Sequence, residues 1–335
     1  MSLVLTPNTY ISVIKHIKTT NVKLDAGLIK ELAQKTGFDA CGITYATPLL
    51  EDNAFLDKWI DHGKNAEMHY LKNNRELRKN PEGLLDNAKS IISVLLSYNL
   101  GYDDTIDYYI SKYARGLDYH RVVKKLLNAF VNSLMESYPE LNARVFVDSA
   151  PVFERAYARN SGLGFIGKNT CLINPKLGSF VFIGEIICDM RSDYDSEISL
   201  DCGNCNLCVE SCPVGALSDK GLDANRCISY HTIESKNDIP ENIANKITNQ
   251  VFGCDICQDV CPYNKRAQLS TNVEFKRNSL IEDLNIQYLE NISNSQFNKK
   301  YEETAFNRVK REKLLKNFRL VERKKNFKLQ DISNY

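Results

Sequence analysis

Residues 201–217 read DCGNCNLCVESCPVGAL, residues 252–263 read FGCDICQDVCPY, and RCISYH (226–231) lies between them. These pieces hold eight of the chain's eleven cysteines. Cys202, Cys205, Cys208 and Cys212 are spaced C-x2-C-x2-C-x3-C and are followed by Pro213. In such a run the first three thiolates hold one [4Fe–4S] cluster and the fourth reaches a second. The second cluster then needs three more ligands and the first needs one. Cys254, Cys257 and Cys261, followed by Pro262, supply three, and Cys227 supplies the last. The spacing therefore assigns Cys202, Cys205, Cys208 and Cys261 to one cluster. Cys212, Cys227, Cys254 and Cys257 form the other. A pair of four-cysteine zinc sites would also use C-x2-C pairs, but it leaves both C-x3-C-P endings unexplained.

A length of 335 residues allows two or three domains and a large core. With 43% apolar and 25% charged residues, the composition is that of an ordinary globular protein. Met1 to Thr20 lacks a basic start followed by an apolar run, so no signal peptide is expected. Cysteines at metal-ligand spacing then point to a reducing cytoplasm. No stretch approaches the ~18 apolar residues of a membrane helix. The longest apolar run, Phe180 to Cys188, contains Glu185 and reads as a buried strand. The net charge of +1 is unevenly spread. Residues 299–335 hold twelve Lys or Arg against five Asp or Glu, a sum of +7, which leaves −6 for the rest. A basic tail of this kind suits a polyanionic partner, with Lys310, Arg311, Lys313, Lys316 and Arg319 as candidate phosphate contacts.

Before the cysteines the pattern is mixed. DAGLIKELAQKT (25–36) predicts a helix capped by Asp25, stopped by Gly37, with Leu28, Leu32 and Ala33 inward. Phe38 to Thr44 reads as a strand in which Cys41 is a small buried residue. Phe55 to Pro81 reads as a solvated helical region. SIISVLLS (90–97) reads as a central strand buried on both faces. YYISKYARGLDYH (108–120) packs four tyrosines, two basic residues and a histidine together. It reads as a surface helix or as the wall around a large planar ligand. A helix is expected over Arg121 to Tyr138. RVFVD (144–148) reads as a strand ending in Asp148, a usual place for a site in an α/β sheet. Pro151 is expected to start a helix running to Arg159. Gly162, Gly164 and Gly167 form G-x-G-x-x-G, but after a helix and before a strand, so they are read as admitting a bulky ligand rather than a dinucleotide.

Five motifs, YARGLDYH (113–120), DSAPVFERAYARNSGLGFIGKNT (148–170), CGNCNLCVESCPVGAL (202–217), RCISYHTIE (226–234) and FGCDICQDVCPYNK (252–265), resemble those of the epoxyqueuosine reductases. Phe165 and Tyr263 stand where tryptophan is common in that family. The resemblance implies an α+β chain in three parts. Residues 1–195 would be a nitroreductase-like, reductive-dehalogenase-like cobalamin-binding domain. Residues 196–272 would be a ferredoxin-like domain with two [4Fe–4S] clusters. Residues 273–335 would be a short basic helical region, where many members carry helical repeats. The implied reaction reduces epoxyqueuosine at the anticodon wobble position of tRNA to queuosine. It uses cobalamin and an external low-potential donor of flavodoxin or ferredoxin type, in a cytoplasmic monomer. The family's catalytic acid falls on Asp148, with Arg155 as its expected partner or as a substrate contact. Tyr113, Arg115, Asp148, Arg155, Lys168 and Ser229 are the expected cofactor contacts. A corrinoid iron–sulfur reductase of small molecules is the competing reading.

Overall fold

SIISVLLS (90–97) carries no charge and no turn residue, and the rest of the sheet forms around it. The computed structural model describes residues 22–101 and 107–333, with side chains as far as residue 326. The Met1–Thr20 stretch read for a signal peptide lies outside the described residues. In chain order the principal elements are α1 (Ala26–Thr36), β1 (Ala40–Tyr45), α2 (Leu50–Asp61), β2 (Ser90–Ser97), β3 (Tyr109–Ile110), α3 (Tyr119–Ser137), β4 (Ala143–Phe146), α4 (Glu154–Asn160), β5 (Phe165–Ile166), β6 (Leu172–Ile173), β7 (Val181–Cys188), α5 (Ile228–Ile233), β8 (Gln250–Phe252) and α6 (Arg311–Ser333). Short helical turns connect them.

The main sheet has the order β1-β2-β7-β4 and is antiparallel throughout. All eight residues of β2 are buried. Alternate side chains explain this. Ile92, Val94 and Leu96 face α1 and α3 across Ile29, Leu127 and Phe130. On the other face Ile91 packs with Tyr157, and Leu95 with Ala158, both of α4. Glu185 sits opposite Ser93 in this sheet and is fully buried. The Ser93 hydroxyl donates to both carboxyl oxygens of Glu185 at 3.0 and 2.9 Å. Burial pushes Glu185 far above the usual carboxylate range, so the sheet carries a neutral acid rather than an orphan charge.

Helix α1 forms where expected. The Asp25 side chain accepts from the Leu28 amide at 2.7 Å, and Gly37 ends the helix at φ +106°. Ile29 and Ala33 are its buried pair, and Leu28 is half-buried. Burial pushes the Cys41 and Cys188 thiols up to about 12, as fits inert packing residues.

Three expectations change. Tyr108 to His120 is no helix: it forms β3, one turn at Lys112–Ala114 and the start of α3. Strand β3 pairs parallel with β8, so this stretch binds the cysteine-rich half to the rest. Pro151 does not open a helix; α4 starts three residues later, at Glu154. Gly162 and Gly164 admit the chain's own backbone, and Gly167 admits the side chains of Ile173 and Asn169. A Cβ on Gly164 would lie 2.4 Å from the Ile173 carbonyl oxygen, so Gly164 closes the β5–β6 hairpin.

The basic C-terminal stretch also differs from a free charged tail. Helix α6 buries Leu314, Phe318 and Val321 in one core with Val251, Phe252 and Phe306. Cys212, Cys227 and Cys254 pack against that same core. The buried Asn317 amide donates to the carbonyls of Thr232 and Val251, both at 2.9 Å. Four of the five candidate phosphate contacts have acceptors within the protein. Lys316 pairs with Asp238 and Arg319 with Glu290, both at 2.7 Å. Arg311 donates to Asn294 at 2.8 Å and Lys313 to the Asn237 carbonyl at 3.1 Å. The tail is therefore a structural element and cannot be cut away without disturbing the cysteine region. Phe318 is fully buried, with its ring 4.7 Å from that of Tyr108. Phe318→Ala is expected to cost ~3–5 kcal/mol, seen as a lower midpoint in thermal unfolding. An unchanged midpoint would place α6 outside the cooperative core.

Candidate active site and cluster region

The eight cysteines gather into two sets. Cys261 is buried with Phe165 and Ile173, and Cys202 packs against them. Burial pushes up the thiols of Cys208 and Cys261. The negative charges of Cys202 and Cys261 act on Cys208, and those of Cys202 and Cys205 act on Cys261. In the second set burial pushes Cys254 up to about 12, and Cys227 and Cys212 add to it. Cys257 is likewise pushed up by burial, then by Cys171, Cys254 and Cys227. Cys227 caps α5; burial raises its thiol while the amides of Tyr230 and Ser229 act the other way. Among the described residues no three His, Cys, Asp or Glu side chains close on a single ion. A cubane needs no such convergence, because each of its four irons takes its own thiolate. Cys171 is the surprise: it lies near Cys257, Cys261 and Cys208, between the sets.

The residues singled out by sequence fall around these sets in different ways. The Lys168 amide donates to the Cys202 sulfur at 3.4 Å, and its ammonium to Gly203 O at 3.0 Å and Asn206 at 2.8 Å. Lys168 therefore braces the first cysteine loop. Arg115 is buried, donates to the Ile110 carbonyl at 2.8 Å and lies over the Tyr109 ring. Tyr113 packs between Tyr119 and Phe252. Ser229 is half-buried on α5 beside Cys227. Phe165 and Tyr263, the two positions where tryptophan was expected, contact each other edge-on, centroids 5.3 Å apart. Lys112, Asp255, Asp259 and Tyr109 tie β3 to the second cysteine run. Lys112 pairs with Asp259, and Asp255 accepts from the Lys112 amide at 2.8 Å and the Tyr109 hydroxyl at 3.0 Å.

Asp148 lies two residues past β4, with φ at +48°. Its expected partner, Arg155, points elsewhere and donates to the Thr170 carbonyl. The guanidinium beside Asp148 comes instead from Arg308, at 3.8 Å from Oδ2. His120 Nε2 is also 3.8 Å from that oxygen, and the Tyr119 hydroxyl donates to it. Tyr119 is held by stacking on Phe182, with rings 4.4 Å apart and 2° from parallel. Arg308 lies 2.8 Å from His120 Nε2 and can only donate. Nε2 is therefore the acceptor, and Nδ1–H donates to Asp118 at 2.7 Å. Asp118, His120, Arg308 and Asp148 form one connected group. Tyr70, from the region read as a solvated face, stands close enough to Glu234, Asp148 and Arg308 to feel their charges. Tyr119 and His120 were visible in the Tyr-rich motif; Arg308 carried no local signal.

Thiols in two sets at iron–sulfur spacing, together with the connected group around Asp148, mark the chain as an iron–sulfur oxidoreductase by class. Residues 201–264 match the "4Fe-4S double cluster binding domain" model, and residues 78–149 match the model described as "Epoxyqueuosine reductase QueG, DUF1730". The epoxyqueuosine reductase of Leadbetterella byssophila is 40% identical over 294 residues, 88% of this chain and 97% of that protein. The chain belongs to the epoxyqueuosine reductase family, and it is a reductase. One solved family member, bound to an epoxyqueuosine-modified tRNA-Tyr stem loop, superposes with TM-score 0.81 at 28% identity, over 88% of this chain and 80% of that one. Another, from Bacillus subtilis, has its catalytic aspartate loop swung out of the active site (TM-score 0.80, 28% identity, the same shares of both chains). Among the described residues no helix is long and apolar enough to cross a membrane.

Proposed function

We propose that this reductase converts epoxyqueuosine in tRNA to queuosine, with cobalamin bound beside Asp148 and electrons arriving through two [4Fe–4S] clusters from a low-potential donor protein. The carrying observation is that Asp148, with Tyr119, His120 and Arg308 on one of its oxygens, stands on the same framework as both thiol sets. The reaction takes an epoxide, two electrons and two protons to an alkene and water. When bound, the clusters would supply electrons singly and cobalamin would supply the low-potential chemistry for breaking the carbon–oxygen bond.

The chain's own residues then have distinct tasks. Cys202, Cys205, Cys208 and Cys261 hold one cluster; Cys212, Cys227, Cys254 and Cys257 hold the other. Asp148 is the acid for the epoxide oxygen. The described contacts of its carboxyl fall on Oδ2, which leaves Oδ1 for the substrate. Tyr119 and Arg308 keep that orientation and offset the charge left after proton transfer. The segment 168–170 links the parts. Its Lys168 backbone amide meets Cys202, its Asn169 side-chain amide donates to the Cys257 carbonyl at 3.4 Å, and the Thr170 carbonyl holds Arg155. Tyr113, Ser229 and the Arg155–Thr170 pair are the residues that would hold a corrinoid between clusters and acid. Arg115 and Lys168 are committed to the chain's own acceptors and support it from behind.

Anaerobic reconstitution with iron, sulfide and cobalamin tests this reading. The expected result is eight irons per chain, from two four-iron clusters, a corrinoid spectrum, and conversion of epoxyqueuosine in tRNA. Four irons, no retained corrinoid, or turnover confined to halogenated small molecules would overturn it.

A further inference from the structure

Asp148 is an exposed residue with a side chain, yet its backbone is left-handed at φ +48°. Residues with a Cβ populate that region sparsely and stay there only when neighbours hold them. Tyr119 holds the Asp148 side chain, but the backbone needs its own restraint. The Asp148 amide donates to Glu154 Oε1 at 2.5 Å. Glu154 is the first residue of α4, and the next three residues, Ala156 to Ala158 after exposed Arg155, are buried against the main sheet. The acceptor therefore stands on a rigid element, while the loop from Asp148 to Phe153 carries no regular structure.

Glu154 is half-buried. Burial pushes its carboxyl up to about 8 and Asp148 adds to the rise, against the Asp148 amide and Arg155. Glu185 lies behind it in the sheet and is itself pushed up. Near neutral pH this carboxyl keeps its proton, and it accepts the amide without placing a second negative charge beside the acid.

We propose that Glu154 is a positioning residue whose carboxyl oxygen latches the Asp148 amide and keeps the acid turned into the site. The proposal rests on Asp148 being the acid. Hydrogen exchange of the peptide spanning residues 147–153, in the reconstituted full chain, reads the latch without turnover. The Asp148 amide should exchange slowly although its residue is exposed. Glu154→Met keeps the volume but removes the acceptor. It should release that protection and lower kcat on the order of tenfold, the scale of one lost acceptor, with KM for tRNA unchanged. Glu154→Gln retains a carbonyl acceptor and should restore both.

Fast exchange at Asp148 in the wild-type chain would overturn the latch, whether or not the Met variant folds. So would a Gln variant that keeps protection yet turns over as slowly as Met, because the proton would then matter rather than the acceptor. Protection lost in Glu154→Met with turnover unchanged would overturn the positioning role, while a slow Asp148→Asn variant would still keep Asp148 as the acid.

Discussion

Asp148→Asn is expected to leave both clusters loaded and corrinoid bound while slowing epoxide reduction by ~10²–10⁴-fold, the usual contribution of a positioned general acid. The amide is nearly the shape of the carboxyl, and its oxygen can still accept from Tyr119, so the stacked Tyr119–Phe182 pair should not move. What the amide lacks is a proton for the oxygen released from carbon. Nor can it develop the carboxylate charge that Arg308 would offset after proton transfer. The measurement is single-turnover conversion of epoxyqueuosine in tRNA with pre-reduced enzyme, which removes electron delivery from the rate. Equal iron content, equal tRNA affinity and a slow chemical step are the expected combination. A wild-type single-turnover rate would exclude Asp148 as the acid and shift attention to Tyr119 and His120 on the same carboxyl oxygen.

Cys227→Ala should remove about half the iron and stop multiple turnover. Cys227 comes from neither cysteine run, and the second set cannot complete a four-thiolate shell without it. It caps α5 under the core that α6 closes, so no other cysteine of the second run can take its place without unfolding that helix. In the first set, Cys202 and Cys261 rest on Phe165, Ile173 and Tyr263 instead, and its cluster should survive. Iron analysis with low-temperature electron spin resonance of the reduced protein distinguishes the two clusters. Full iron with full turnover would remove Cys227 from the ligand set.

Much of this was legible in the residues. C-x2-C spacing turns neighbouring thiols toward one cluster within a few residues of chain, so the runs declare themselves locally. The Asp25 cap, the Gly37 stop and the apolar run of β2 are local in the same sense. The failures share a cause. Tyr108 to His120 has the composition of a helix face, but pairing of β3 with β8, about 140 residues later, overrides it. Arg155 seemed the partner of Asp148 because it is near in sequence. The turn through Pro151 carries α4 away, and Arg155 reaches Thr170 instead.

By itself the sequence determined the two cysteine runs and the two central strands, because each depends on periodicity or spacing within about ten residues. Only the tertiary structure decided that Arg308, 188 positions from His120, lies on that histidine and faces Asp148. It alone showed that the basic tail is part of the core and that Arg311, Lys313, Lys316 and Arg319 meet acceptors within the protein. Charge counts record how many cations a segment holds, but not which acceptors the fold brings to them. That depends on burying Leu314, Phe318 and Val321 against residues far away in the chain, a packing choice made by the whole core and written in no single stretch.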